Sequence, residues 1–198
     1  MQKTVDICGI RCYIGPGQIP YVSVSAGLNE LYPMSPYIKP HHLEAGETFH
    51  LWMARYLGAI QNNDYLFQSR LFGEAPDRVK RAYDWAEENI DWVDAVEETC
   101  FHPMGIACTR DFRGGYKKEH ELMDWKFSDK SSDRYRMQIG IYRLFDPAPD
   151  NASLVLISKE GKIRRYVQGK EPGAVARFIK ATLPLIKRVR DGYEMPKV

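Results

Sequence analysis

From Thr48 to Gln61, apolar residues recur every three or four positions: Phe49, Trp52, Met53, Tyr56, Leu57 and Ile60. That spacing predicts an amphipathic helix. A second such pattern starts at Asp77, a capping residue, and carries Val79, Ala82, Tyr83 and Ala86 towards Asn89. A third runs from Ser131 to Ile139 and stops at Gly140, the residue type that usually follows a helix end. The last covers Ala174 to Val189, with Val175, Phe178, Ile179, Leu183 and Ile186 as its apolar stripe and a kink expected at Pro184. Strands are expected over residues 3–14, from Tyr21 to Ser25, from Asp64 to Phe72 and from Trp92 to Val96. Two β-rich runs flank Glu160-Gly161 between Ser153 and Val167 and predict a hairpin. Pro33, Pro36 and Pro40 keep residues 32–40 out of any helix. Residues 97–115 read as a loop, and residues 116–123 as a short helix.

After residue 64 this gives strand, helix, strand, helices, hairpin, helix. The order predicts an α/β fold with a mixed sheet and helices on both faces. Residues 1–63 form an N-terminal extension packed on the core, and residues 64–198 the main domain.

Two stretches carry a family resemblance. Phe127-Ser128-Asp129, Ile139-Gly140-Ile141-Tyr142 and Leu154 through Ile163 resemble segments of the peroxiredoxins. Val93 through Glu98, followed by His102-Pro103, is similar to a segment of the iodothyronine deiodinases. The resemblance covers residues 64–182 and implies a thioredoxin-like fold with oxidoreductase chemistry. It also implies a catalytic Cys or selenocysteine where the first central strand meets its helix. That position falls near Phe72, with Ser69 matching a family serine, and no cysteine lies between Cys12 and Cys100. A thiol mechanism would then rest on displaced groups: Cys100 and Cys108, with His102 beside them. The alternatives are a repurposed small-molecule enzyme or ligand-binding module, with Trp52, Tyr56, Ser69 and Phe72 around an aromatic pocket, or a metal-binding accessory subunit.

Charge narrows the partners. The 28 basic and 26 acidic residues leave a net charge of +2. A balance so near neutrality gives no call for nucleic acid, so a small-molecule substrate is expected, with a homodimer as an option. No apolar run approaches the roughly 20 residues that span a membrane. No charged segment followed by an apolar core opens the chain, so no signal peptide is expected and the expected location is the cytoplasm. Four cysteines there stay reduced unless they are catalytic or sensing.

Metal-ligand spacing occurs twice. Cys100, His102 and Cys108, joined by His120 or Glu98, offer the soft donors that suit zinc. His41, His42, Glu44, Glu47 and His50 form the densest His/carboxylate cluster, and Glu47 and His50 share a helix face. Cys8 and Cys12 are four apart, one longer than a redox pair.

Overall fold

The computed structural model describes residues 4–34, 37–169 and 172–193. The chain begins with β1 (Thr4–Ile7), β2 (Ile10–Ile14) and β3 (Pro20–Ser23), which leads straight into α1 (Val24–Leu31). Ser23 ends the strand and caps the helix, its hydroxyl accepting from the Ala26 N–H at 3.1 Å. Then come α2 (Pro40–Gln61), α3 (Tyr65–Glu74) and α4 (Asp77–Asn89). Three strands follow, β4 (Ile90–His102), β5 (Ile106–Tyr116) and β6 (Glu119–Lys126), before α5 (Asp133–Tyr142). The chain closes with β7 (Asn151–Ile157), β8 (Ile163–Val167) and α6 (Pro172–Gly192).

The eight strands among the described residues form one mixed sheet, in the order β1-β2-β3-β5-β6-β7-β8 with β4 also paired to β5. Helices cover both faces, as the α/β pattern requires. One apolar cluster joins Leu28, Ile139, Phe178 and Ile186 of α1, α5 and α6 to Ile106, Leu122 and Ala152. The other joins Phe49, Leu57, Leu71 and Tyr83 of α2, α3 and α4 to Phe112, Trp125 and Val155. The expected boundary between residues 63 and 64 falls in the turn between α2 and α3.

The thioredoxin-like reading fails on topology. Its first central strand, Asp64 to Phe72, is helix α3, because the Asp64 carboxylate caps it by accepting from the Phe67 N–H at 3.0 Å. The strand-to-helix junction that would present a nucleophile near Phe72 does not exist. The expected loop at 97–115 is instead the long hairpin β4–β5, paired from Ile90↔Tyr116 to His102↔Ile106. Gly114 and Gly115, which suggested a loop, lie inside β5. A Cβ on Gly115 would fall 2.1 Å from the Trp92 indole, so glycine marks a close approach there rather than a turn. The expected helix at 116–123 is the β5–β6 turn and strand β6. Its two-residue turn is Lys117-Lys118, both at positive φ (48° and 71°), where Asn-Gly is the usual signal. Lys118 is held there by Asp91, which accepts from its N–H at 2.6 Å. Cys8-Gly9 likewise splits the expected strand over 3–14 into β1 and β2. The β7–β8 hairpin stands, closed by residues 158–162 with Gly161 at φ +75°.

Candidate metal centre

β5 organises the site. β4 pairs with it along its whole length. Its other edge is shared: β3 runs parallel to Ile106–Ala107, and β6 runs antiparallel to Phe112–Tyr116. Residues 108–111 on that edge pair with neither. The sheet forks there, and a cleft of about 730 Å³ opens.

Asp111 stands at the base of the fork, one step beyond the last β5–β6 pair, Phe112↔Met123. The next residue on β6 is Asp124. The Asp111 carboxylate bridges the divergence by accepting from the Trp125 N–H at 2.8 Å. Strand period places Lys126 on the same side as Asp124, with its Nζ 2.6 Å from Asp124 Oδ2. Helix α2 crosses the opening and brings His50, whose Nδ1 lies 3.2 Å from Asp111 Oδ2. Glu97 joins from β4, opposite Asp111. Its φ of +50° is a left-handed conformation inside a strand, which costs a non-glycine residue about 1–3 kcal/mol and concentrates at functional sites. Ligand atoms of His50, Glu97 and Asp111 all lie within 4.8 Å of one another.

Burial and negative charge dominate the electrostatics. Burial, then the Asp111 charge, push the Glu97 carboxyl up to about 7. Burial also raises Asp124, to about 6; Lys126 opposes the shift and Asp111 adds to it. For Lys126 burial works against the charged form, but Asp124 and Asp111 outweigh it and hold the ammonium protonated. His50 is also raised, since Asp111 overrides the cost of burial. Asp111 is the one carboxylate held low: burial would raise it, but His50 and Lys126 prevail. Three carboxylates thus face the Lys126 ammonium and the His50 ring, and two of the three hold protons more tightly than usual.

The arrangement fits a divalent cation. Asp124 is fully buried, yet neither oxygen accepts an aligned hydrogen bond. The Lys126 ammonium pairs with Oδ2 at 2.6 Å, and Oδ1 has no partner, so lone pairs remain for a hard cation. His50, Glu97 and Asp111 supply one nitrogen and two carboxylates within 4.8 Å of one another.

Besides His50, two of the sequence-derived candidates line the cleft, Glu47 and Cys108, and the others fall elsewhere. His50 belongs to the centre, whereas His41, His42, Glu44 and Glu47 are exposed on α2, and of these Glu47 borders the cleft. Cys100 and Cys108 are direct cross-strand partners. Burial drives the Cys108 thiol well up, and the hydrogen bond it gives Cys100 pulls Cys100 down. His102 lies at the far end of β4, its ring against Phe145 and its Nδ1 accepting from the Met104 N–H at 3.3 Å. His120 pairs with Asp94 at 2.9 Å, and Glu98 with Arg110. No zinc set forms from these residues. Trp52 and Tyr56 lie on α2, Tyr56 stacked on Tyr83, while Phe72 on α3 tilts against the same Tyr83 ring. Ser69 is exposed on α3. Cys8 is exposed in the β1–β2 turn, and Cys12 is buried on β2. Sequence reasoning missed Glu97, Asp111, Asp124 and Lys126. The available signal was Asp124-Trp125-Lys126, a carboxylate and an ammonium two apart, on one face if the segment is a strand.

No family model matches the chain, and no curated protein does. Among solved structures it is similar to an alkaline exonuclease from Laribacter hongkongensis, LHK-Exo. The identity is 14%, the coverage 84% of this chain and 88% of the other, and the TM-score 0.46. The same enzyme in complex with dAMP gives 10% identity, coverage of 73% and 92%, and a TM-score of 0.43. SSO0001 gives 15% identity, coverage of 82% and 84%, and a TM-score of 0.36. The peroxiredoxin and deiodinase resemblance and its oxidoreductase function are set aside, because helix α3 stands where the nucleophile-bearing strand was expected. The exclusion of nucleic acid is withdrawn as well, because it rested on net charge alone. Net charge takes no account of bound ions, so it cannot exclude such a partner. Among the described residues, no helix is long and apolar enough to cross a membrane.

Proposed function

We propose that the protein is a divalent-cation-dependent phosphodiesterase that hydrolyses nucleic acid strands. One observation carries this reading: His50, Glu97 and Asp111 converge within 4.8 Å, beside the buried Asp124–Lys126 pair, in the open fork of the sheet. Phosphodiester hydrolysis needs little from a protein besides positioning and charge stabilisation. A cation held by Glu97, Asp111, Asp124 and His50 would act as a Lewis acid on the phosphate and make water more acidic. Water attacks phosphorus, the bond to the leaving oxygen breaks, and that oxygen takes up a proton. Lys126, kept charged by its carboxylate neighbours, stabilises the negative charge that builds on the phosphoryl oxygens. Asp124 holds Lys126 in place. Gln138 and Tyr142 of α5 line the facing wall, their side chains joined at 2.6 Å, and offer polar contacts that orient the substrate. The cleft is open, so a polymer can extend past it, and Tyr13, Tyr142 and Leu51 give bases an apolar surface. A cytoplasmic setting belongs to the same proposal, since all four cysteines are free thiols.

The test is cleavage of end-labelled single- and double-stranded DNA and RNA with Mg²⁺ or Mn²⁺, with EDTA as the control. Metal-dependent cleavage that Asp111→Asn abolishes is expected. A folded protein that cuts none of these substrates with either ion would overturn the reading.

A further inference from the structure

Glu97 and Asp111 are each one residue away from a member of an ion-pair network that does not line the cleft. Arg110 on β5 sits directly opposite Glu98 on β4 and pairs with it. Arg110 is only 4% exposed. Its second nitrogen donates to Asp146 Oδ2 at 3.1 Å, and Arg113 donates to the same oxygen at 3.0 Å. Asp146 follows the C-terminal end of α5, whose Gln138 and Tyr142 form the cleft's facing wall. One guanidinium therefore ties β4, β5 and the end of α5 together behind the site.

Such a network is a costly way to stabilise a fold. Burying charges removes hydration that their attraction barely restores, and the best-attested use of buried ion pairs is to fix register. The register matters here. A slip of one residue between β4 and β5 would turn either Glu97 or Asp111 away from the cleft. Glu97 is also held in a left-handed conformation, which persists only where the surroundings over-determine it. The neighbouring Glu98–Arg110 pair supplies that constraint.

The geometry points to Glu98 and Arg110 as positioning residues: their ion pair locks the register in which Glu97 meets Asp111, and so sets the affinity for the cation. This rests on the metal-centre reading above. It is tested on the full chain by Mn²⁺ calorimetry, with circular dichroism and thermal melts as fold controls. Glu98→Gln removes the charge from the half-exposed partner and leaves Arg110 paired with Asp146. It is expected to weaken Mn²⁺ binding by about 10- to 100-fold, the usual effect of losing support behind a ligand. Cleavage should recover at saturating Mn²⁺, a separation of metal affinity from turnover that loss of fold would not give. Arg110→Lys keeps the charge but loses the fork that reaches two carboxylates, and should fall between Glu98→Gln and wild type. It carries the test if Glu98→Gln does not fold. Wild-type Mn²⁺ affinity in these variants, with binding abolished in Asp111→Asn, would overturn the positioning role and leave the metal centre standing. Wild-type affinity in Asp111→Asn would overturn the metal centre itself.

Discussion

The β7–β8 hairpin and the β4–β5–β6 fork belong to one sheet but are built to opposite rules. β7 and β8 pair without interruption from Ser153↔Val167 to Ile157↔Ile163. Leu154, Val155, Leu156 and Ile157 are buried on both faces of the sheet. The fork breaks its ladder at Asp111, holds Glu97 in a left-handed conformation and buries two carboxylates, Asp111 and Asp124, beside a lysine. One region gathers apolar contacts along β7, and the charge that β8 turns towards the sheet, Arg165, is matched by hydrogen bonds to the buried Glu121 carboxylate. The other gives up pairing and burial energy to hold charged groups in a geometry they would not choose. Structures violate local rules mainly at functional sites, and the compensation comes from elsewhere in the fold.

Four measurements break or sharpen that contrast. The largest effect is expected from Leu154→Ala, which should destabilise the protein by about 2–5 kcal/mol in urea melts. Cleavage per folded molecule should stay unchanged. A parallel loss of turnover would mean that hairpin and fork are not separable. Lys126→Met should do the reverse, lowering the cleavage rate by about 10²- to 10³-fold, the usual loss for one aligned charge-stabilising group. Circular dichroism should show an intact fold. A rate close to wild type would move the stabilising cation to another residue. Glu97→Gly relieves the left-handed backbone, so stability should rise by up to about 1 kcal/mol while metal binding is lost. A fall in stability would make Glu97 a structural residue.

The smallest effect concerns pH, in metal-free protein kept in EDTA. Glu97 and Asp124 are raised to about 7 and about 6, above their unfolded values, so the folded state binds the extra protons. His50, also raised, acts in the same direction. The stability these groups contribute is complete below their unfolded pKa values and is lost as pH rises through the folded ones. Thermal melts in EDTA should therefore fall between about pH 4.5 and pH 8. Flat melts across that range would show that the three groups are not under the strain described. Added Mn²⁺ should remove most of the slope by neutralising the carboxylates.

Helices α2, α4, α5 and α6 and the β7–β8 hairpin were legible because their signals are local: apolar period, the Ser132 cap of α5 and a Gly-containing turn, whereas Asp77, read as a cap, is the first residue of α4 behind Pro76. Helix α3 was misread because most of its apolar residues do not mark a buried face; Leu71 alone is fully buried. Leu66 is 87% exposed and Tyr65 71%, so their hydrophobicity mimicked a core strand. Strands β5 and β6 were hidden for a related reason. Lys117-Lys118 turns through left-handed backbone without the glycine or asparagine that announces it, and Gly114-Gly115 makes room for Trp92 instead of ending a strand.

The chain by itself determined an α/β protein with helices on both faces of a mixed sheet, because amphipathic period and caps act within a few residues of one another. It also placed His50 among the metal-ligand candidates. Only the tertiary structure decided the centre. His50, Glu97, Asp111 and Asp124 lie far apart in sequence on α2, β4, β5 and β6, and they meet because the sheet forks at Asp111. That fork depends on which strands share the edge of β5, a long-range pairing that no local pattern encodes.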